Sequence, residues 1–223
     1  MQYPNSNTAG EPLAILGGTF DPVHYGHLRC GEEARQKLGL KRLLLLPAGK
    51  PPHRGPPQAT TEQRLDMLRL ALDEFPYLQL DDRETRREGP SYMVETLAEF
   101  RRENPDKPLM LLLGQDAANL LHTWFDWKRL FSLAHIVILT RPGSVVDYGD
   151  LLSAELDQRL TGDMSLMRSS LAGKVMPVEV GLVDVSATDI KLMLSRGRSP
   201  DSMLPPTVLE YIKKNRLYLS SAK

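Results

Sequence analysis

Short apolar runs alternate along the chain with longer stretches of helical periodicity. "LAIL" (13–16), "RLLLL" (42–46), "LQL" (78–80), "LMLLL" (109–113), "HIVIL" (135–139) and roughly "VMPVEV" (175–180) are brief and continuous. Runs of that kind predict strands covered on both faces, as in a parallel sheet. Between them, "YGHLRCGEEARQKLGL" predicts a helix stopped at Gly39, and "TTEQRLDMLRLALDEF" predicts one with Leu65, Leu68 and Leu72 along one face. A third helix is predicted from Ser91 to about Arg102, ahead of Asn104-Pro105. Strand and helix in repeated alternation predict an α/β fold, an open doubly wound parallel sheet with a short C-terminal helical region. Such sheets bind ligands beyond the carboxyl ends of their strands, so chemistry is expected in the loops there.

Two stretches break the rhythm. "PAGKPPHRGPPQ" (47–58) carries five prolines and two glycines and reads as a loop that is partly structured and partly mobile. Residues from about 142 to 173 are charged and weakly patterned, which predicts a surface excursion with one helix at 150–160. With 223 residues, the chain is expected to form a single domain, 1–223, with about 1–11 as a flexible extension.

Charge removes whole classes of partner. Lys plus Arg and Asp plus Glu both number 28, so no global field would hold the protein on nucleic acid or an anionic membrane, and any anion site must be local. The single cysteine, Cys30, excludes an internal disulfide framework and a cysteine-based metal cluster. No secretory leader or membrane span is legible, and a cytoplasmic location is expected.

"GGTFDPVHYGHL" (17–28) follows the first predicted strand. Gly17 and Gly18 lack Cβ atoms and let a ligand approach the backbone. A helix starting near Tyr25 would turn its open amides and its dipole toward an anion. His24 and His27, three apart, share one side of its first turn, and Gly26 between them clears the approach. Two imidazoles there suit phosphate oxygens. A His-x-x-His pair can also ligate metal, but no third ligand stands at a suggestive spacing. In "VSATDIK" (185–191), Ser186 suits an N-cap, Thr188 offers a hydroxyl in the first turn, and Lys191 lies three residues on. "LLLGQD" (111–116) ends a strand with Gly114 and Asp116, where a carboxylate suits ribose hydroxyls or an N-cap.

Together these stretches resemble the nucleotidyltransferases related to class I aminoacyl-tRNA synthetases, and the chain is similar to their bacterial nicotinate-mononucleotide adenylyltransferase branch. The resemblance rests on "GGTFDPVHYGH" and on stretches at 47–54, 90–97, 114–125 and 185–191, in the family's order. It implies a Rossmann-like fold and transfer of AMP from ATP to nicotinate mononucleotide, giving nicotinate adenine dinucleotide and pyrophosphate, with Mg2+ carried by the ATP. By resemblance ATP would meet Gly17, Gly18, Thr19, Phe20, His24, His27, Gly114, Asp116, Arg141, Ser186, Thr188 and Lys191. His24, His27, Thr188 and Lys191 would act on the reacting phosphates. The mononucleotide would meet Thr19, Lys50, His53, Arg54, Ser91, Tyr92, Met93, Trp124 and Phe125, with Trp124 stacked on the pyridine ring. Lys191 stands where the family commonly has arginine, so a point charge replaces a bidentate fork. Met93 stands where threonine is common, which removes a hydroxyl contact. Nicotinamide-mononucleotide and pantetheine-phosphate adenylyltransferases, and a catalytically silent nucleotide sensor, stay open as alternatives.

Overall fold

Every apolar run becomes a strand in the computed structural model, which describes residues 10–51, 55–181 and 183–219. They are β1 (Leu13–Gly18), β2 (Leu43–Pro47), β3 (Leu78–Leu80), β4 (Leu109–Gly114), β5 (His135–Thr140) and β6 (Val175–Glu179). The helices are α1 (Tyr25–Lys37), α2 (Thr61–Leu72), α3 (Arg83–Arg86), α4 (Met93–Glu103), α5 (Gln115–Asn119), α6 (Trp127–Leu133), α7 (Gly149–Asp157), α8 (Met164–Ser169), α9 (Ala187–Ser195) and α10 (Pro206–Lys214). All strand pairs are parallel, in the order β3-β2-β1-β4-β5-β6. This is the doubly wound, Rossmann-like α/β sheet expected. Pro177 is accommodated because β6 is an edge strand, where a missing N–H costs no ladder bond on the open side.

Strand side chains alternate between two cores. Ala14, Leu16, Met110, Leu112, Val137 and Leu139 face one layer, built from α1, α2, α8, α9 and α10. Ile15, Leu111, Leu113, Ile136 and Ile138 face the other, built from α4, α5, α6 and α7. The runs look continuous in sequence because both sides of the sheet are covered.

Helix ends follow local chemistry. Gly39 sits just past α1 with φ +60°, the left-handed turn that a C-terminal glycine provides. Thr60 and Gln63 form a reciprocal capping box at the start of α2. The third helix begins at Met93 instead of Ser91, because Ser91 is committed to the loop after β2. The 142–173 stretch holds two helices, and they reach the core: Leu152 and Met167 are 0% exposed and Leu156 is 2%. Arg168 also donates to the carbonyls of Leu38 and Gly39 at 2.9 Å each. At the chain's start, Glu11 is tied to Lys41 by an ion pair of 3.1 Å, and residues 1–9 lie outside those described.

Candidate active site

Winding reverses between β1 and β4, and the loops leaving these two strands border the crevice that results. After β1 the chain passes through Phe20 at φ +50°, which drives its ring inward to 1% exposure. A Cβ on Gly18 would sit 2.8 Å from that ring, so only glycine lets Phe20 fold under the loop. The Phe20 ring therefore belongs to the core, and only its backbone borders the crevice. His27 packs edge-on against it with centroids 4.9 Å apart, and the His24 ring lies 3.8 Å from that of His27. The histidines pair as the spacing predicted.

Gly26 is the meeting point of two helix starts. A Cβ there would come within 2.8 Å of the His24 ring and 3.0 Å of the Val185 carbonyl, which leads into α9. In the first turn of α1 the Tyr25 amide is taken by the Met203 carbonyl and the His27 amide by that of His24. In α9 Ser186 caps the Asp189 amide at 3.1 Å, with the Ala187 and Thr188 amides ahead of it in the open first turn. Two positive dipole ends thus adjoin at one glycine.

His24 is 6% exposed, and burial followed by the charge of Arg141 lowers its pKa to about 4. At neutral pH the ring is uncharged. Its Nδ1 is buried and has no hydrogen-bond partner among the described residues. The neutral ring carries one N–H and one acceptor nitrogen.

Arg141 lies 3.8 Å from Asp116, whose side chain is 87% exposed at the crevice. Gly114, not Asp116, occupies the N-cap of α5, so the capping alternative for Asp116 falls away and its carboxylate faces solvent.

The loop after β2 is held at both ends. Ser91 accepts from the Gly49 and Lys50 amides at 3.0 and 3.1 Å and interacts with the Glu84 carboxyl, so its hydroxyl is spent on the loop. Arg64, 1% exposed, donates to the carbonyls of Thr19 and Ala48 at 2.8 Å, joining the loops after β1 and β2. Asp21 accepts from the Gln58 and Ala59 amides at the loop's far end. Lys50 is exposed, and His53 and Arg54 lie outside the described residues.

Across the crevice, Tyr92 makes no side-chain cap on α4, which leaves the first-turn amides of Met93 and Val94 open. Met93 reaches toward Gly17, where a Cβ would lie 3.1 Å from its terminal methyl. Tyr92 and Phe125 stack at 4.6 Å, and Trp124 is partly buried against the core. The Trp124 amide is bonded to the Leu121 carbonyl, so Trp124 offers its ring and not its main-chain donor.

Lys191 is brought to the site but not as a free cation. It pairs with Asp21 at 2.5 Å, and Tyr218 donates to the same carboxylate at 2.7 Å. Sequence reasoning missed Asp21, Arg64, Glu84 and Tyr218. Asp21 lay inside the quoted motif and carried a signal, whereas Arg64 sits on a helix face read from its leucines. Among the described residues, no three His, Cys, Asp or Glu side chains are grouped to hold a metal, and no helix is long and apolar enough to cross a membrane.

Residues 15–193 match the cytidylyltransferase-like family model. A protein of Methylococcus capsulatus named "Probable nicotinate-nucleotide adenylyltransferase" is 45% identical over 92% of this chain and 99% of its own. A Dechloromonas aromatica protein of the same name is 43% identical over 95% and 99%. Among solved structures, the Plasmodium falciparum nicotinic acid mononucleotide adenylyltransferase complexed with NaAD is similar in fold, with a TM-score of 0.72 at 15% identity, covering 93% of this chain and 97% of that one.

Proposed function

The chain belongs to the cytidylyltransferase-like family and, within it, to the nicotinate-nucleotide adenylyltransferases, and on that premise we propose how its residues divide the work. A phosphate oxygen of nicotinate mononucleotide attacks the α-phosphorus of ATP, the bond to the β-phosphate oxygen breaks, and pyrophosphate leaves. ATP enters as its Mg2+ complex. The attacking phosphate is already anionic near neutral pH, so no general base is needed, and positioning with charge stabilisation supplies the rate.

The adjoining starts of α1 and α9 at Gly26, beside a buried neutral His24, are the observation that carries this reading. His24 and His27 donate to the reacting phosphates, Thr188 and the open amides of α9 take the departing pyrophosphate, and Lys191 and Arg141 supply charge. Gly17, Gly18, Thr19 and the Phe20 backbone border ATP, Gly114 and Asp116 its ribose, and Ser186 fixes the start of α9. The mononucleotide lies toward Thr19, Lys50, Tyr92, Met93, Trp124 and Phe125, with its ring against Trp124. Ser91 serves it indirectly, by holding Gly49 and Lys50. The chain works as one nucleotidyltransferase domain in the cytoplasm.

Pyrophosphate release from Mg2+-ATP is the measurement, with nicotinate mononucleotide, nicotinamide mononucleotide and phosphopantetheine compared as acceptors. Turnover confined to phosphopantetheine, or absent with all three, would overturn the proposal.

A further inference from the structure

Asp21 is 6% exposed, yet its carboxylate is fully subscribed. One oxygen accepts from the Ala59 amide at 3.1 Å and from Tyr218 at 2.7 Å; the other accepts from the Gln58 amide at 3.0 Å and from Lys191 at 2.5 Å. The Lys191 ammonium also lies 5.3 Å from the centre of the Tyr218 ring. Tyr218 reaches this place through two left-handed residues, Arg216 at φ +52° and itself at φ +61°. Side chains adopt that backbone at a cost, so the contacts made at its end hold the turn in place. Tyr218 stands outside every motif read from the sequence.

We propose that Tyr218 is a positioning residue for Lys191: by sharing Asp21 with the lysine, it keeps the ammonium exchangeable between the carboxylate and the triphosphate of ATP. This rests on the reading of Lys191 as a phosphate contact. A buried carboxylate that loses its paired cation is costly unless other groups satisfy it. When Lys191 departs, Asp21 retains two amides and the Tyr218 hydroxyl, and the buried Arg64 guanidinium, within electrostatic reach of both, still balances its charge. Without the hydroxyl one oxygen keeps a single donor, and the lysine is held harder.

A double-mutant cycle over Tyr218→Phe and Lys191→Met tests this, read as the Kd of a non-hydrolysable ATP analogue with Mg2+ present. Tyr218→Phe alone should weaken binding about three- to tenfold, the scale of one hydrogen bond. In the Lys191→Met background the same change should have no further effect. Equal weakening in both backgrounds, or a lower Tm with unchanged Kd, would overturn the proposal and leave Tyr218 as a packing residue. Because the cycle reads ATP binding without turnover, it stands or fails separately from the identity of the acceptor nucleotide.

Discussion

A histidine that is neutral at pH 7 is a different catalyst from a charged one. In the proposed mechanism His24 contributes a single directed N–H and no net charge, so the cationic field at the phosphates falls to Arg141 and Lys191. Replacing His24 with alanine should lower kcat by roughly a hundredfold or more, equivalent to about 2–4 kcal/mol, with a much smaller change in ATP affinity. Unchanged turnover would leave His24 a structural residue. The same burial makes a stability prediction. The folded pKa, about 4, lies below the ordinary value of 6.5, so the unfolded chain takes up this proton first as pH falls. Stability from His24 is complete above 6.5 and is lost progressively between 6.5 and 4, amounting to about 3 kcal/mol. Urea unfolding at pH 7 and pH 4.5 should therefore separate the wild type more than it separates His24→Ala.

Among the elements, the open start of α4 is, in the proposed reading, the one that decides which base is accepted. Main-chain amides at Met93 and Val94 can only donate, so a carboxylate is satisfied there, whereas an amide would turn its NH2 toward another donor. The acid should exceed nicotinamide mononucleotide by about 10²-fold or more in kcat/KM, the scale of one or two well-placed polar contacts. Trp124→Ala should weaken both substrates without inverting the order, since it removes only stacking. Parallel kinetics on the two mononucleotides decide this, and equal use of both would contradict it. The loop after β2 offers a sharper steric test. A Cβ on Gly49 would meet the Glu84 carbonyl at 2.3 Å, where backbone faces backbone, while one on Gly17 meets only the flexible end of Met93 at 3.1 Å. Gly49→Ala should cost over tenfold in kcat/KM and lower the Tm, whereas Gly17→Ala should leave the Tm unchanged, because the Met93 side chain can turn aside, and show its cost in the KM for ATP.

For the molecule as a whole, what was legible followed from periodicity. Continuous apolar runs gave six strands because both faces are covered, and the two helix starts with their histidines and Ser186 could be placed because caps and glycines are local signals. What depends on distant partners was not legible. Lys191 finds Asp21 from the far end of the chain, Ser91 is diverted to Gly49 and Lys50, and Arg64 is buried amid carbonyls that no spacing rule announces. The 142–173 stretch misled for a related reason: its helices anchor through a few residues, too few to make a period. Met167→Ala should therefore destabilise the fold by about 2–5 kcal/mol, seen as a reduced denaturation midpoint with kcat preserved at low temperature.

The register that sets Ile15 beside Leu111 and Leu16 beside Leu112 also fixes when the crevice can first form during synthesis. A ribosome that has delivered β1, β2 and β3 has made the glycine loop and both histidines, yet the opposite wall of the crevice does not exist. Until β4 emerges, β1 presents an unpaired strand edge, a surface prone to association with other chains. Such distant parallel pairing is slow to form because its loop entropy is spent before its contacts repay it. Nucleotide added during refolding should therefore leave the early phase unchanged and slow only the unfolding of the completed sheet.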